Sequence, residues 1–323
     1  MTKDVWGRDD SAHPPEWALL EKVLLASLVE QRRARRWSIF FKLLAVSLLI
    51  MLVVLFTPQE MHASGTWHTG VVKVNGEISA DTDASADNII LGLDAAFEAP
   101  RCKAVILSIN SPGGSPVQAD MIYREIWRLR KLHPDRKVYA VISDMGASGA
   151  YYIASAANEI YVSPASMVGS IGVIMGGFGF PDLLNKLGVE RRVLTAGQHK
   201  AIGDPFSPVK PDEKTYLLSM LEAVHQQFIA AVRQGRGARL HETPDIFSGL
   251  FWTGDQAVTL GLADGFGSAH EVARNIIHAP ELVDYSHEGN PLDHAFKKLG
   301  VSATQGLFQG WQASWHFTSP GLN

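Results

Sequence analysis

The chain has 323 residues, a formal net charge of −4 and one cysteine, Cys102. So slight a negative charge excludes a general nucleic-acid footprint, and one cysteine excludes an intramolecular disulfide. The 12 histidines are scattered, with no HExxH and no Cys/His spacing of the zinc type, so neither metal nor cofactor is expected.

Residues Met1 to Pro15 are polar. From Glu16 to about Arg36, Trp17, Leu20, Leu24 and Leu28 recur at helical spacing. That amphipathic helix could lie on a membrane surface or against a partner, or simply lead, solvated, into the membrane. Arg32-Arg-Ala-Arg-Arg36 is followed by Trp37 to Phe56, roughly 20 residues and long enough to span a bilayer. Lys42, its one charge, sits where it can snorkel to the headgroups. Four arginines before the span and nothing comparable after it predict a cytoplasmic N-terminus, with the rest of the chain outside the cytoplasm. The polar segment before the span is too long for a cleaved signal peptide. The expected divisions are a cytoplasmic segment 1–36, an anchor 37–57, a linker 58–68, a main domain 69–278 and a tail 279–323.

In the main domain, Thr69 to Ile78 alternates as a strand ending at a Gly turn. Asp87 to Ala99 reads as a helix, and the fully apolar run Ala104 to Ile109 as a buried parallel strand. A turn at Asn110 to Ser115 leads into a helix, Val117 to Leu132, and then a strand, Val138 to Ile142. Further on come strands at Ile160 to Val162, Val168 to Met175 and Arg191 to Thr195, and helices at Pro181 to Leu187 and Pro211 to Gly235. This alternation argues for α/β with a mainly parallel sheet. Trp252-Thr-Gly-Asp-Gln-Ala257 and Leu260-Gly-Leu-Ala-Asp264 close the domain with a helix and a turn. From Ala279 onward no pattern stands out.

Ser148 is the residue best placed for chemistry. It follows a strand that breaks at Gly146, and it precedes an Ala/Tyr/Ile-rich helix whose free N–H groups suit developing negative charge. A serine needs a base to become a nucleophile, and outside the His-Asp arrangement a neutral lysine can serve. Neutral lysine requires a site that penalises the ammonium, chiefly by desolvation. Lys200 lies in a nearly uncharged loop with Ala201, Ile202, Pro205 and Phe206 as apolar walls, and His199 beside it is the competing base. Neighbours on an extended loop point opposite ways, so one of the two faces Ser148. Ser111-Pro-Gly-Gly114 is, taken alone, an ordinary turn. Its second glycine also leaves an N–H that could join that of Gly149 in holding an oxyanion. Asp144 reads as a cap or turn residue. Gly176-Gly-Phe-Gly179 lacks the third glycine and the lysine of a phosphate loop.

Ser-Pro-Gly-Gly-Ser, Asp-Met-Gly-Ala-Ser-Gly-Ala-Tyr-Tyr, Gly-Ser-Ile-Gly-Val-Ile and Gly-x-x-Lys-x-x-Gly-Asp-Pro-Phe, in that order, resemble the signal peptide peptidase A (protease IV) family. The closing Thr-Gly-Asp-Gln-Ala…Gly-Leu-Ala-Asp resembles it too, so the likeness runs from about Gly70 to about Gly267. It implies a Clp/crotonase-like fold and a serine peptidase with a Ser–Lys dyad, here Ser148 and Lys200. It thereby favours Lys200 over His199, and it matches Gly114 and Gly149 to the oxyanion positions. It further implies a homo-oligomer, in which the dyad could form across subunits. The expected function is degradation of apolar signal-peptide remnants by an enzyme of the bacterial inner membrane whose catalytic domain is periplasmic or extracellular. A crotonase-type acyl-CoA enzyme is the second reading, disfavoured by a location outside the cytoplasm. A catalytically silent membrane scaffold is the third.

Overall fold

The computed structural model describes residues 15–56 and 66–287 and, within the first helix, the side chains of residues 25, 26 and 30–51. The chain divides into two units, Met1–Glu60 and Met61–Asn323. In the first, helix α1 runs unbroken over Pro15–Phe56, joining two segments that the sequence pattern separates. Its described apolar side chains between Trp37 and Met51 are exposed. Among the described residues no helix is long and apolar enough to cross a membrane. The last five side chains of the expected span, 52–56, lie outside the described residues, as do residues 1–14 and most of the C-terminal tail, 288–323.

The second unit is built on β1 (His68–Asn75), β2 (Cys102–Ser111) and β3 (Val138–Ala147), which pair in parallel. Helix α2 (Ala86–Glu98) connects the first two and α3 (Pro116–Leu132) the next two. Each of these helices starts at a serine, Ser85 or Ser115, whose hydroxyl accepts a free N–H of the first turn. The apolar run of β2 is explained by burial on both faces. Val105, Leu107 and Ile109 face the main core with Ile89, Leu93, Ile122 and Ile126. Ala104 and Ile106 face a smaller cluster with Tyr139, Val272 and Ile277. A strand buried on both sides has no use for alternating polar residues.

Strand β3 divides its edge. Tyr139 to Ile142 pair with β4 (Glu159–Val162), while Met145 to Ala147 pair with β5 (Met167–Gly169). Helix α4 (Gly149–Ser155) lies between β3 and β4 in sequence. Beyond β5 the chain forms α5 (Pro181–Leu187) and the long α6 (Pro211–Arg236). Phe228 and Val232 of α6 join the main core. Strand β6 (Phe251–Thr253) pairs antiparallel with β5, and every other pairing in the sheet is parallel. The mixed α/β expectation with a mainly parallel sheet therefore holds.

Three local expectations are corrected. Val168 to Met175 is a strand only as far as Gly169. Arg191 to Thr195 is no strand; the antiparallel β6 pairs with β5 instead, and Arg191 is held by Asp204 at 2.9 Å. Leu282–Asp284, where no pattern stands out, forms a parallel strand with β1, and Tyr285 after it is buried. Three residues are too few to show a period of two.

Candidate active site

Ser148 stands between the end of β3 and the start of α4, at φ 52° and ψ −126°. Non-glycine residues rarely take such angles, which cost on the order of 1–3 kcal/mol and persist only where the surroundings over-determine them. The restraints are visible. The Ser148 N–H donates to the Gly169 carbonyl at 2.8 Å, and its carbonyl accepts from the Tyr152 N–H at 3.0 Å as the first bond of α4. The neighbouring Gly113 is glycine of necessity, because a Cβ there would lie 2.7 Å from both the Ser148 Cβ and the Gly149 nitrogen. Although Ser148 occupies the N-cap position, its hydroxyl makes no cap bond. The backbone is held in place and the hydroxyl is not spent on capping the helix.

The direction of the Gly114 N–H follows from one isolated parallel bridge, Ile78 to Gly114. Ile78 donates to the Gly113 carbonyl at 2.9 Å and accepts from the Ser115 N–H at 2.8 Å. That pairing turns the intervening Gly114 N–H away from Ile78, towards α4. A Cβ on Gly149 would lie 3.4 Å from the Gly114 nitrogen. Among the described residues neither the Gly114 nor the Gly149 N–H donates to another group. Two unengaged N–H groups next to a serine are the kind of donors that a tetrahedral oxyanion requires.

A cavity of about 120 Å³ opens beside these groups. It is lined by Pro116, Ala119 and Asp120 of α3, by Ser148, Gly149 and Tyr152, by Gly172 to Ile174, and by Val224, Gln227 and Phe228 of α6. The His225 ring nitrogen meets the Ile171 carbonyl at 3.0 Å, which ties α6 to the segment forming one wall. The Tyr152 hydroxyl donates to Asp120 at 3.3 Å. Burial and then the Asp120 carboxylate raise the Tyr152 phenol above its ordinary range, so it stays neutral and donating.

The model of peptidase family S49 matches residues 130–281, a span that includes Ser148 and Lys200. A putative protease of Synechocystis is 30% identical over 200 residues, covering 62% of this chain and 70% of that protein. The chain belongs to peptidase family S49. A putative signal peptide peptidase of Enterococcus faecium is 29% identical over 237 residues, covering 70% of this chain and 68% of that protein. A Brucella abortus protein described as a Na(+)/H(+) antiporter is 44% identical over 209 residues, or 63% of this chain. The chain spans only 28% of that Brucella protein's length.

Within this S49 chain, Ser148, Gly114 and Gly149 come together, whereas Lys200 does not line their cavity. Lys200 is exposed, in a turn where its N–H donates to the Gly197 carbonyl at 3.2 Å, and His199 beside it is exposed too. Among the described residues no lysine, arginine or histidine lines the cavity. Asp144 is neither cap nor turn: it lies on β3 and accepts from the Asn110 amide at 2.9 Å. Asp120, Tyr152, Val224 and Phe228 are site residues that sequence reasoning misses. The available signal was spacing, since Asp120 lies four residues after Pro116 and Tyr152 four after Ser148.

Proposed function

We propose that the protein is a membrane-anchored serine endopeptidase with a Ser148–Lys200 dyad, acting on apolar peptides such as signal-peptide remnants. The observation that carries this reading is Ser148 itself: a strained, backbone-fixed serine with a free hydroxyl, two unengaged N–H groups beside it and an apolar cavity adjoining. Its oxygen attacks the peptide carbonyl, and the Gly114 and Gly149 N–H groups take the oxyanion. Neutral Lys200 accepts the serine proton and delivers it to the leaving amine. Water then hydrolyses the acyl-enzyme by the same route.

Lys200 comes from a second copy of the chain in this proposal. Two observations support that arrangement. Among the described residues no lysine or histidine lines the cavity. The segment carrying Lys200 also exposes Ile174, Met175, Phe178, Leu183, Val189 and Leu194, more apolar surface than isolated side chains explain. Burying it against another copy would desolvate the lysine as well as the surface. The anchor is Trp37 to Phe56, which holds the site close to peptides left in the bilayer, on the side opposite the arginine cluster.

The test is complementation in detergent with an apolar signal-peptide fragment. Ser148→Ala and Lys200→Ala are each inactive alone. Dissociated together and reassembled, they regain a sizeable fraction of wild-type cleavage, because some sites then pair an intact Ser148 with an intact Lys200. Retained activity in Lys200→Ala alone would remove the dyad, and a mixture as dead as its components would place both groups in one chain.

A further inference from the structure

A second cavity, of about 540 Å³, lies between the C-terminal half of α3, the turn before β4 and the end of α6. It shares no lining residue with the cavity beside Ser148. Arg124, Arg128, Arg130 and Lys131 face it from α3, Asn158 and Gln234 supply two amides, and among the described residues no carboxylate lines it. The protein orients both amides. The Asn158 oxygen accepts from the Val138 N–H at 2.9 Å, and the Gln234 oxygen accepts from the Tyr123 hydroxyl at 3.3 Å. Each amide thereby spends its oxygen on the fold and keeps its NH2 to donate.

The four cations are unequal. Arg124 pairs with Asp120 at 2.8 Å, and Arg128 pairs with Glu125 and, at 3.1 Å, with Asp94. Among the described residues Arg130 and Lys131 pair with no carboxylate. Both lie in the last turn of α3, where the helix dipole favours cations. That accounts for their charge but not for the setting of Arg130. Lys131 is exposed, so water answers its charge, whereas Arg130 is partly buried with its guanidinium 4.3 Å from the Trp127 ring centre. One guanidinium N–H goes to the Ala156 carbonyl, which brings no compensating charge. The Arg130 Nε–H is buried and meets no acceptor among the described residues. Burial, and then the Arg239 cation, lower this guanidinium from its ordinary range. A cation withdrawn from water and set near another cation is stabilised by a bound anion, and the planar arginine fork grips anionic oxygens in pairs.

The donors also select the anion. A carboxylate brings one charge and two oxygens, too few for two unpaired cations and two amide NH2 groups. A phosphate group brings about two charges and a further acceptor oxygen. We propose that this cavity is a binding site for a phosphate group, free or carried by an anionic phospholipid, held by Arg130 and Lys131 with the amides of Asn158 and Gln234. The site stands whether or not the protein is a peptidase.

The experiment titrates full-length protein in detergent by calorimetry, first with inorganic phosphate and then with mixed micelles containing phosphatidylglycerol. Ionic strength is held constant, because screening alone weakens such contacts. Asn158→Asp and Gln234→Glu keep the oxygens that accept from Val138 and Tyr123 but replace each donating NH2 with negative charge. Each should weaken binding by about tenfold or more, since like charges brought together repel strongly. Lys131→Gln, at an exposed position, should weaken it by about threefold, the scale of an exposed ion pair. Thermal unfolding of the three variants should show folded protein, with the new carboxylates beside Arg130 costing no stability. Arg124 is left unchanged because it also holds Asp120. Phosphatidylglycerol bound more than tenfold tighter than inorganic phosphate, at equal phosphate concentration, assigns the site to a lipid headgroup; equal or weaker binding assigns it to the free ion. Binding of neither probe, or binding that all three folded variants leave unchanged, overturns the inference.

Discussion

The half of the site that holds Ser148 and the segment that holds Lys200 are built on opposite terms. Ser148 grows out of the centre of a sheet whose main strands are buried on both faces, and its own backbone N–H and carbonyl are both hydrogen-bonded, to Gly169 and Tyr152. Lys200 lies in a stretch with one short helix, α5, none of whose residues is buried. Leu194 is 100% exposed, Ile174 90% and Phe178 83%. One chain therefore fixes Ser148, the Gly114 and Gly149 N–H groups and the cavity beside them, yet leaves Lys200, the proposed base, in solvent. The first half is finished within a chain; in the proposed arrangement the second acquires its environment on assembly.

The sharpest way to break this comparison is to charge the exposed segment. Phe178→Glu with Leu194→Glu should leave the folding of the isolated domain within about 0.5 kcal/mol of wild type, as surface changes do. Activity should fall by a thousandfold or more, with dissociation visible by light scattering. Full activity in a dissociated protein would show that the segment completes the site without a second copy.

A change of similar chemistry in the core should do the reverse. The Arg236 side chain is fully buried and donates to both oxygens of Asp264, at 2.8 and 2.9 Å. Asp264 also accepts from Arg239 at 3.0 Å and from the Ile160 N–H at 2.6 Å. Asp264→Ala would strand a buried guanidinium, at a cost of about 3–5 kcal/mol in urea unfolding. The pair also predicts a pH effect. Burial raises the Asp264 carboxyl, but hydrogen bonds and charge from Arg236 outweigh it, so the net shift is downward. A lowered carboxyl stabilises the fold fully above the ordinary aspartate range, near 4, and loses that contribution as pH falls towards its folded value. Wild type should thus lose more stability than Asp264→Ala on acidification below about pH 4. Parallel curves for the two proteins would deny the pair its role.

The same contrast governs what the sequence discloses. Strands β1 to β3 and helices α2 and α3 are legible because their apolar spacing answers to burial within one chain; α6 is legible too, although only its C-terminal part, from Phe228, enters the core. Ser148, Gly113 and Gly114 are legible because small residues crowd where backbone must turn and approach closely. Asp120, Tyr152, Val224 and Phe228 are not, since on helices their spacing is that of ordinary inward-facing residues. Arg191 to Thr195 alternates like a strand and finds no strand to pair with. His199 and Lys200 are both exposed in the single chain, and under the proposed assembly the choice between them depends on contacts with a second copy, which no local pattern can carry.

The smallest effect tests the seam between the two halves. At φ 52° and ψ −126° serine bears a backbone strain that glycine does not, while glycine costs about 0.5–1 kcal/mol in unfolded-chain entropy. With strain of roughly 1–3 kcal/mol at such a position, Ser148→Gly should stabilise the domain by about 1 kcal/mol net, or some 2–4 °C in Tm. It also removes the proposed nucleophile. Ser148→Ala removes the same oxygen and keeps the Cβ, so it should lose activity with no such gain. A rise for glycine alone assigns the strain to the backbone that aims the hydroxyl; equal Tm values would mean that the elbow stores none. The strain is tolerated because the Ser148 N–H to Gly169 bond, the first turn of α4 and the Gly113 contact all fix the same conformation. A serine free to relax would turn its oxygen away from the Gly114 and Gly149 donors.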